Sequence, residues 1–284
     1  LFKGEDKIAV IYAQGEILYG EGGPSFIGQG IINSSLKKAR EDKNVKAIVI
    51  RVNSPGGSAL TSDIIWREIE ITKGIKPVIV SMGDVAASGG YYIAAGADKI
   101  FAEESTITGS IGVFGTIPNA SILAEKIGIN SEQVGTNKNS VDYSLFEPMS
   151  DSFRNTIQES VESTYSTFLS RVAQGREMTV AEVDSVAQGR VWSGVDAKNL
   201  GLIDEIGGLD DAIKAAAEIA GIKKYGINSY PKYKSGFERF MEDFGGTSSK
   251  IKQDFIKEEI GEETYLILKE VKAAMKQQGI QARM

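Results

Sequence analysis

Three runs of near-continuous isoleucine and valine limit what this chain can fold into: residues 8–12, 47–52 (AIVIRV) and 78–81, the last directly after Pro77. A strand that is apolar at every position, not at alternate ones, has to be covered on both faces. The intervening stretches have helical spacing instead. Ile31, Ile32, Leu36 and Ala39 recur along residues 27–42, and residues 60–73 read as a second helix. Strands alternating with helices in this way predict an α/β fold, with a mainly parallel sheet flanked by helices.

Past Gly83 the pattern continues as a small-residue turn, an apolar helical stretch and a short strand. Ile157, Val161, Thr164, Phe168 and Val172 then mark one face of a long amphipathic helix. Gly207 and Gly208 make a turn before another helix over residues 209–220. Beyond Tyr230-Pro231 the composition turns rich in Lys and Glu, with a Gly-Gly-Thr-Ser-Ser break at residues 245–249. Residues 262–278 read as a charged helix. The expected organisation is one domain over residues 1–222 and a charged, mostly helical carboxy-terminal extension over residues 223–284.

Two absences restrict the chemistry: the 284 residues include no Cys and no His. Thiol nucleophiles, disulfides, Ser-His-Asp triads and the usual zinc sites are thereby excluded. A serine nucleophile in this chain would need Lys or a carboxylate as its base. The 32 basic residues against 38 acidic ones, a net charge of −6, offer no basic excess for nucleic acid. No metal or cofactor is expected. Asp204, Glu205, Asp210 and Asp211 gather near a turn, but a solvated helix start accounts for them. No apolar run reaches the roughly 18 residues of a membrane span. The first residues lack a secretory pattern, and a chain starting with Leu reads as a processed or truncated piece.

Two glycine-rich turns follow apolar strands: Asn53-Ser54-Pro55-Gly56-Gly57-Ser58, and Asp84-Val85-Ala86-Ala87-Ser88-Gly89-Gly90. In open α/β sheets such turns lie at the carboxyl ends of the strands, where sites are built. Glycines leave backbone N–H groups unobstructed, so the first turn suits an oxyanion and the second can present a serine at a helix start. Tight turns that merely need glycine would look the same. Neither turn is a phosphate loop.

NSPGGS, DVAASGGYYIAAGADKI, TGSIGV and QGRVWSGVDAKNLGLIDEIGGLDDAI together resemble the signal peptide peptidase A family of serine peptidases, over roughly residues 8–222. The resemblance implies a Clp/crotonase-like fold and a peptidase domain in residues 1–222. It implies that Ser88 is the nucleophile and that Lys138, in VGTNKNSV, is its general base. Ser110 is implied as the lysine's hydrogen-bond partner, with Gly56, Gly57 and Gly89 forming the oxyanion hole. Remnant signal peptides are the implied substrates, bound by strand addition beyond Gly57 and along residues 111–114. Also implied are a homo-oligomer, a dyad shared between protomers, and a membrane-anchored parent with its site outside the cytoplasm. The closing segment resembles the carboxy-terminal half of double-length members, in which the lysine comes from the amino-terminal half; Lys138 and a lysine outside this chain therefore both stand as the base. Two other readings remain: a non-catalytic scaffold of the same fold, and a crotonase-type acyl-CoA enzyme with Asp84 as its carboxylate.

A lysine base carries a stringent requirement. With a pKa of about 10.4, only about one lysine in 2,500 is neutral at pH 7. Desolvation has to lower that pKa by several units before the amine can accept a serine proton.

Overall fold

The structure, a computed structural model, describes residues 6–137, 140, 143–232, 266 and 279–283. In chain order the elements begin with β1 (Lys7–Gln14), β2 (Glu16–Ile17), β3 (Phe26–Ile27), α1 (Gln29–Glu41), β4 (Val45–Ser54), β5 (Gly56–Ser58), α2 (Ala59–Lys73), β6 (Val78–Ala87) and α3 (Gly89–Ala94). They continue with β7 (Lys99–Ala102), β8 (Ile107–Gly109), β9 (Phe114–Thr116), α4 (Ser121–Lys126), α5 (Asp151–Arg176) and α6 (Val180–Val186). The last are β10 (Val191–Ser193), α7 (Gly194–Asn199), β11 (Glu205–Ile206), α8 (Leu209–Ile219), β12 (Gly226–Tyr230) and β13 (Gly279–Arg283).

The main sheet runs β10-β8-β6-β4-β1-β12, with β7 joining β6 to β11. Its pairs are parallel except β10 with β8. The sheet is flanked by helices, as the isoleucine and valine runs predict. Alternate residues of the central strands enter two separate cores. Ala9, Ile11, Ile48, Ile50, Val78 and Val80 pack on one face with α1, α2, α3 and α5. Ile8, Val10, Ala47, Val49 and Ile79 pack on the other against Ala212, Ile213 and Ala216 of α8. Both faces are covered, which is why the central positions of these strands are almost all apolar.

A second, smaller sheet runs β3-β2-β5-β13-β9. It sits around the first glycine-rich turn. Ser58 ends β5 and caps α2 by accepting from the Thr61 N–H at 3.3 Å, so turn and helix start are one local unit.

The long helix α5 spans 26 residues, and its buried residues, Phe168, Leu169, Val172 and Ala173, all lie in its carboxy-terminal half. Ile157 and Val161 instead face Gly115 of β9.

The chain divides into one unit of residues 1–231 with 280–284 and another of residues 232–279. Strand β12 lies beyond the boundary expected at residue 222, yet it pairs with β1 in the main sheet. Apart from Leu266, which is helical, the helix expected over 262–278 lies outside the described residues.

Candidate active site

Ser88 is the single residue between β6 and α3, and it turns the chain from strand to helix with φ 53° and ψ −118°. These angles match the first central position of a type II′ turn, a conformation that glycine normally supplies. Non-glycine residues in such regions carry about 1–3 kcal/mol of strain, which surrounding structure has to hold. Here the Ser88 N–H donates to the Gly109 carbonyl at 2.9 Å, and the Ser88 carbonyl accepts from the Tyr92 N–H at 2.8 Å. Small neighbours are obligatory: a Cβ on Gly90 would lie 2.7 Å from the Ser54 carbonyl oxygen, where β4 passes under α3.

Helix α3 is anchored through two tyrosines. The Tyr91 hydroxyl donates to the Leu202 carbonyl at 2.8 Å, and burial holds its pKa well above the ordinary tyrosine value. The Tyr92 hydroxyl donates to Asp63 Oδ1 at 2.7 Å, and its pKa is raised by burial first and by Asp63 second. Arg171 Nε donates to the same Asp63 oxygen at 3.2 Å, while its guanidinium stacks over Trp66 at 3.9 Å. Sequence reading missed this brace, because its members lie on α2, α3 and α5, far apart along the chain.

The Ser88 side chain is fully buried, and its Oγ makes no hydrogen bond among the described residues. A buried, unpartnered hydroxyl is unusual enough to need a reason. Ser110 stands beside it by register. Ala87 of β6 pairs with Gly109 of β8 in parallel, so Ser88 and Ser110 each follow one residue beyond a matched pair. Ser110 also has positive φ, 50°, and is 4% exposed. Its N–H donates to the Arg190 carbonyl at 2.7 Å.

The first glycine-rich turn approaches from β4, whose Ser54 pairs with Ala86. Gly56 and Gly57 have φ of 101° and 148°. A Cβ on Gly57 would overlap the Ile17 carbonyl oxygen. The Gly56 N–H donates to Ser54 Oγ at 3.1 Å, so that amide already has a partner. Gly89 opens α3, where first-turn N–H groups have no partner within a helix.

Beyond Ser110 lies a groove of about 480 Å³, lined chiefly by Val113, Phe114, Val161, Tyr165 and Val191. The Tyr165 hydroxyl donates to Asp184 Oδ1 at 2.6 Å and accepts from the Gln188 N–H at 3.2 Å. Burial first, then Asp184, pushes its pKa up to about 12.

Lys138 lies outside the described residues. Asp84, the carboxylate an acyl-CoA reading would use, is exposed. The acidic group near residues 204–211 has structural partners. Asp204 takes a bidentate pair from Arg176 at 2.7 and 3.0 Å, Glu205 pairs with Lys198 and Lys99, and Asp211 accepts from the Gly208 N–H. Among the described residues no cluster suited to a metal ion occurs, and no helix is long and apolar enough to cross a membrane.

Comparison with known proteins gives a match to the profile described as Peptidase family S49 over residues 70–223. Protease 4 of Salmonella typhi is 42% identical over 241 residues, covering 84% of this chain and 39% of that protein. The chloroplastic serine protease SPPA of Arabidopsis thaliana is 44% identical over 224 residues, covering 77% of this chain and 33% of that protein. The chain thus spans between a third and two fifths of the length of these relatives. Among solved structures, a mutant ClpP1 from Listeria monocytogenes superposes with a TM-score of 0.49 at 16% identity, covering 72% of this chain and 94% of that one.

Proposed function

This chain belongs to peptidase family S49, and from that membership we propose that it is the nucleophile-bearing part of a serine endopeptidase that degrades signal peptides released from preproteins. One observation carries the reading: Ser88 Oγ is buried and without a partner among the described residues, on a strained strand-to-helix elbow within the second glycine-rich turn. Names of the relatives, a protease and a serine protease, support it further.

In this mechanism Ser88 Oγ attacks the scissile carbonyl while a lysine amine takes its proton. The developing oxyanion accepts hydrogen bonds from the Gly57 and Gly89 amides, with Gly56 shaping the turn through its bond to Ser54. The lysine ammonium then protonates the leaving amine, and water, deprotonated by the same lysine, releases the acyl group from Ser88. Ser110 is a neutral partner for the lysine. Such a partner orients the amine without favouring its charged form, as a carboxylate would. Lys138 is the base within this chain, and a lysine from outside it is the other source.

Self-association and tethering of the parent protein to a membrane, with the site outside the cytoplasm, belong to the same proposal. Ile122, Leu123, Ile127, Val134 and Phe146 are each exposed within one stretch of chain, and exposed apolar side chains of this kind support association with a second copy.

Cleavage of a signal-peptide-like substrate by this chain, Ser88→Ala and Lys138→Ala tests the dyad. Activity that rises with pH as the desolvated lysine loses its proton, levels off below the ordinary lysine pKa of about 10.4, and is lost in both variants is the expected result. Activity surviving Lys138→Ala but not Ser88→Ala removes Lys138 as the base, and cleavage by Ser88→Ala overturns the whole reading.

A further inference from the structure

The two amides that receive the oxyanion in the proposed mechanism come from separate segments. Gly57 lies in β5, directly before Ser58 and α2, and Gly89 opens α3. Helix α3 has only six residues, too few to be stable alone, so the elements around it set where its first turn points. Tyr92 ties this helix in two directions at once. Its N–H donates to the Ser88 carbonyl at 2.8 Å, within the strained elbow. Its hydroxyl donates at 2.7 Å to Asp63 Oδ1, one turn from the start of α2. The acceptor is itself held. Arg171 Nε of α5 donates to the same oxygen at 3.2 Å, and its guanidinium lies 3.9 Å over Trp66, on the same face of α2 as Asp63. The Tyr92 ring is 2% exposed and packs on Phe168 of α5, with centroids 4.6 Å apart.

We propose that Asp63 and Tyr92 are positioning residues, whose hydrogen bond sets the separation of the Gly57 and Gly89 amides. This rests on the proposed function, in that both amides are taken as oxyanion donors. Each end of the bond lies close to one donor along the chain. Asp63 follows Gly57 through the Ser58 cap and the first turn of α2, and Tyr92 follows Gly89 within the first turn of α3. A change in the bond therefore reaches the donors through short, stiff pieces of backbone. Strain at an elbow persists only while its surroundings hold it. Tyr92 holds Ser88 through its N–H, while α2 holds Tyr92 through its hydroxyl. A second tie differs in place: Lys73 Nζ, at the end of α2, donates to the Gly96 carbonyl beyond α3 at 2.9 Å. It joins the helices at their ends away from the glycine-rich turns, so it supports packing without bearing on the donors. Position is what makes an oxyanion donor effective. Losing one costs about 10²–10³ in rate, and a misplacement of about 1 Å costs about 10²-fold.

The test compares Tyr92→Phe, Asp63→Ala, Asp63→Asn and Lys73→Ala with the unchanged chain. Tyr92→Phe keeps the ring and leaves Asp63 paired with Arg171, so no buried charge is stranded. Asp63→Asn keeps an acceptor oxygen for both donors. Cleavage of a signal-peptide-like substrate gives kcat and KM. A peptide boronic acid reads affinity for the tetrahedral state: Ser88 Oγ adds to boron, its proton passes to the lysine, and a boron-bound oxygen takes the oxyanion's place. The proposal expects Tyr92→Phe and Asp63→Ala to lower kcat and boronate affinity at least about ten-fold, with KM changed by less than about two-fold. Asp63→Asn should bring both back to within about three-fold of the unchanged chain, and Lys73→Ala should leave kcat unchanged. Unchanged kcat and boronate affinity in Tyr92→Phe, or an equal loss in Lys73→Ala, overturns the proposal and makes the bond a packing contact. If Asp63→Ala fails to fold by circular dichroism, Tyr92→Phe decides alone. A chain that takes the boronate without cleaving is judged by boronate affinity in the same way. Failure of the peptidase reading is separable: an unchanged chain that neither cleaves nor takes the boronate removes that reading and this proposal with it, whereas a working chain matched by Tyr92→Phe removes the proposal alone.

Discussion

Ser88→Gly should leave a protein that is more stable than Ser88→Ala, although both lack the nucleophile. At φ 53° and ψ −118° Ser88 lies outside the small left-handed basin open to L-residues. Its strain therefore belongs near the top of the range, about 3 kcal/mol. Alanine keeps that strain and glycine removes it. Against this, glycine's greater freedom in the unfolded chain costs about 0.5–1 kcal/mol, and loss of a buried methyl group costs about 0.8 kcal/mol. Relief of the strain outweighs both losses, leaving glycine ahead by about 1–2 kcal/mol, or roughly 2–4 °C in Tm for a chain of this size. Both variants also lose the buried hydroxyl, which has no partner among the described residues, so this loss does not separate them. Thermal and guanidinium melts of the three proteins, followed by circular dichroism, give the order directly. A glycine variant that melts below the alanine variant would refute the reasoning, because it would mean that no strain is stored at the elbow.

Two further outcomes are expected. Gly57→Ala forces a Cβ onto the Ile17 carbonyl oxygen at a φ of 148°, so it should destabilise the chain by about 1–3 kcal/mol and abolish peptide cleavage; parallel melts and peptidase assays check both. Tyr165 has its folded-state pKa raised to about 12 from 10.0, so it favours the neutral phenol. Its contribution to stability is complete below pH 10 and is lost as pH rises towards 12. Tyr165→Phe should lessen the drop in stability between those pH values, read from denaturation at each pH.

The sequence made the interior of this fold legible and left its edges dark. Strands β1 and β4 announce themselves because two covered faces demand isoleucine and valine at most central positions. Strand β6 runs on to Ala87, past the expected end at Ser81, although Gly83, Asp84, Ala86 and Ala87 carry no strand signal. Those residues are held by pairing with β8 and by Thr108, whose Oγ1 donates to the Ala86 carbonyl at 2.7 Å. Strands of two or three residues, such as β2, β5 and β8, are too short for any periodicity to appear; tertiary pairing creates them. At the site, the motif around Ser88 was readable because strand, small residues and helix are consecutive. The bond from Gly56 to Ser54, the Tyr92–Asp63–Arg171 brace and the pairing of Ala282 with Gly57 are contacts in space, and no local pattern carries them.

The matched pair Ala87–Gly109 also says where this protein tolerates change in length. Ser88 and Ser110 stand together because each is the first residue after that pair, whatever the lengths of the loops between α3 and β8. Insertions in the loop parts of that connection leave the alignment of the two serines intact. One residue added between Ala86 and Ser88, by contrast, moves a different side chain onto the elbow and turns the hydroxyl to another face. Homologous chains should therefore drift freely in loop length here while the spacing from strand to serine stays frozen.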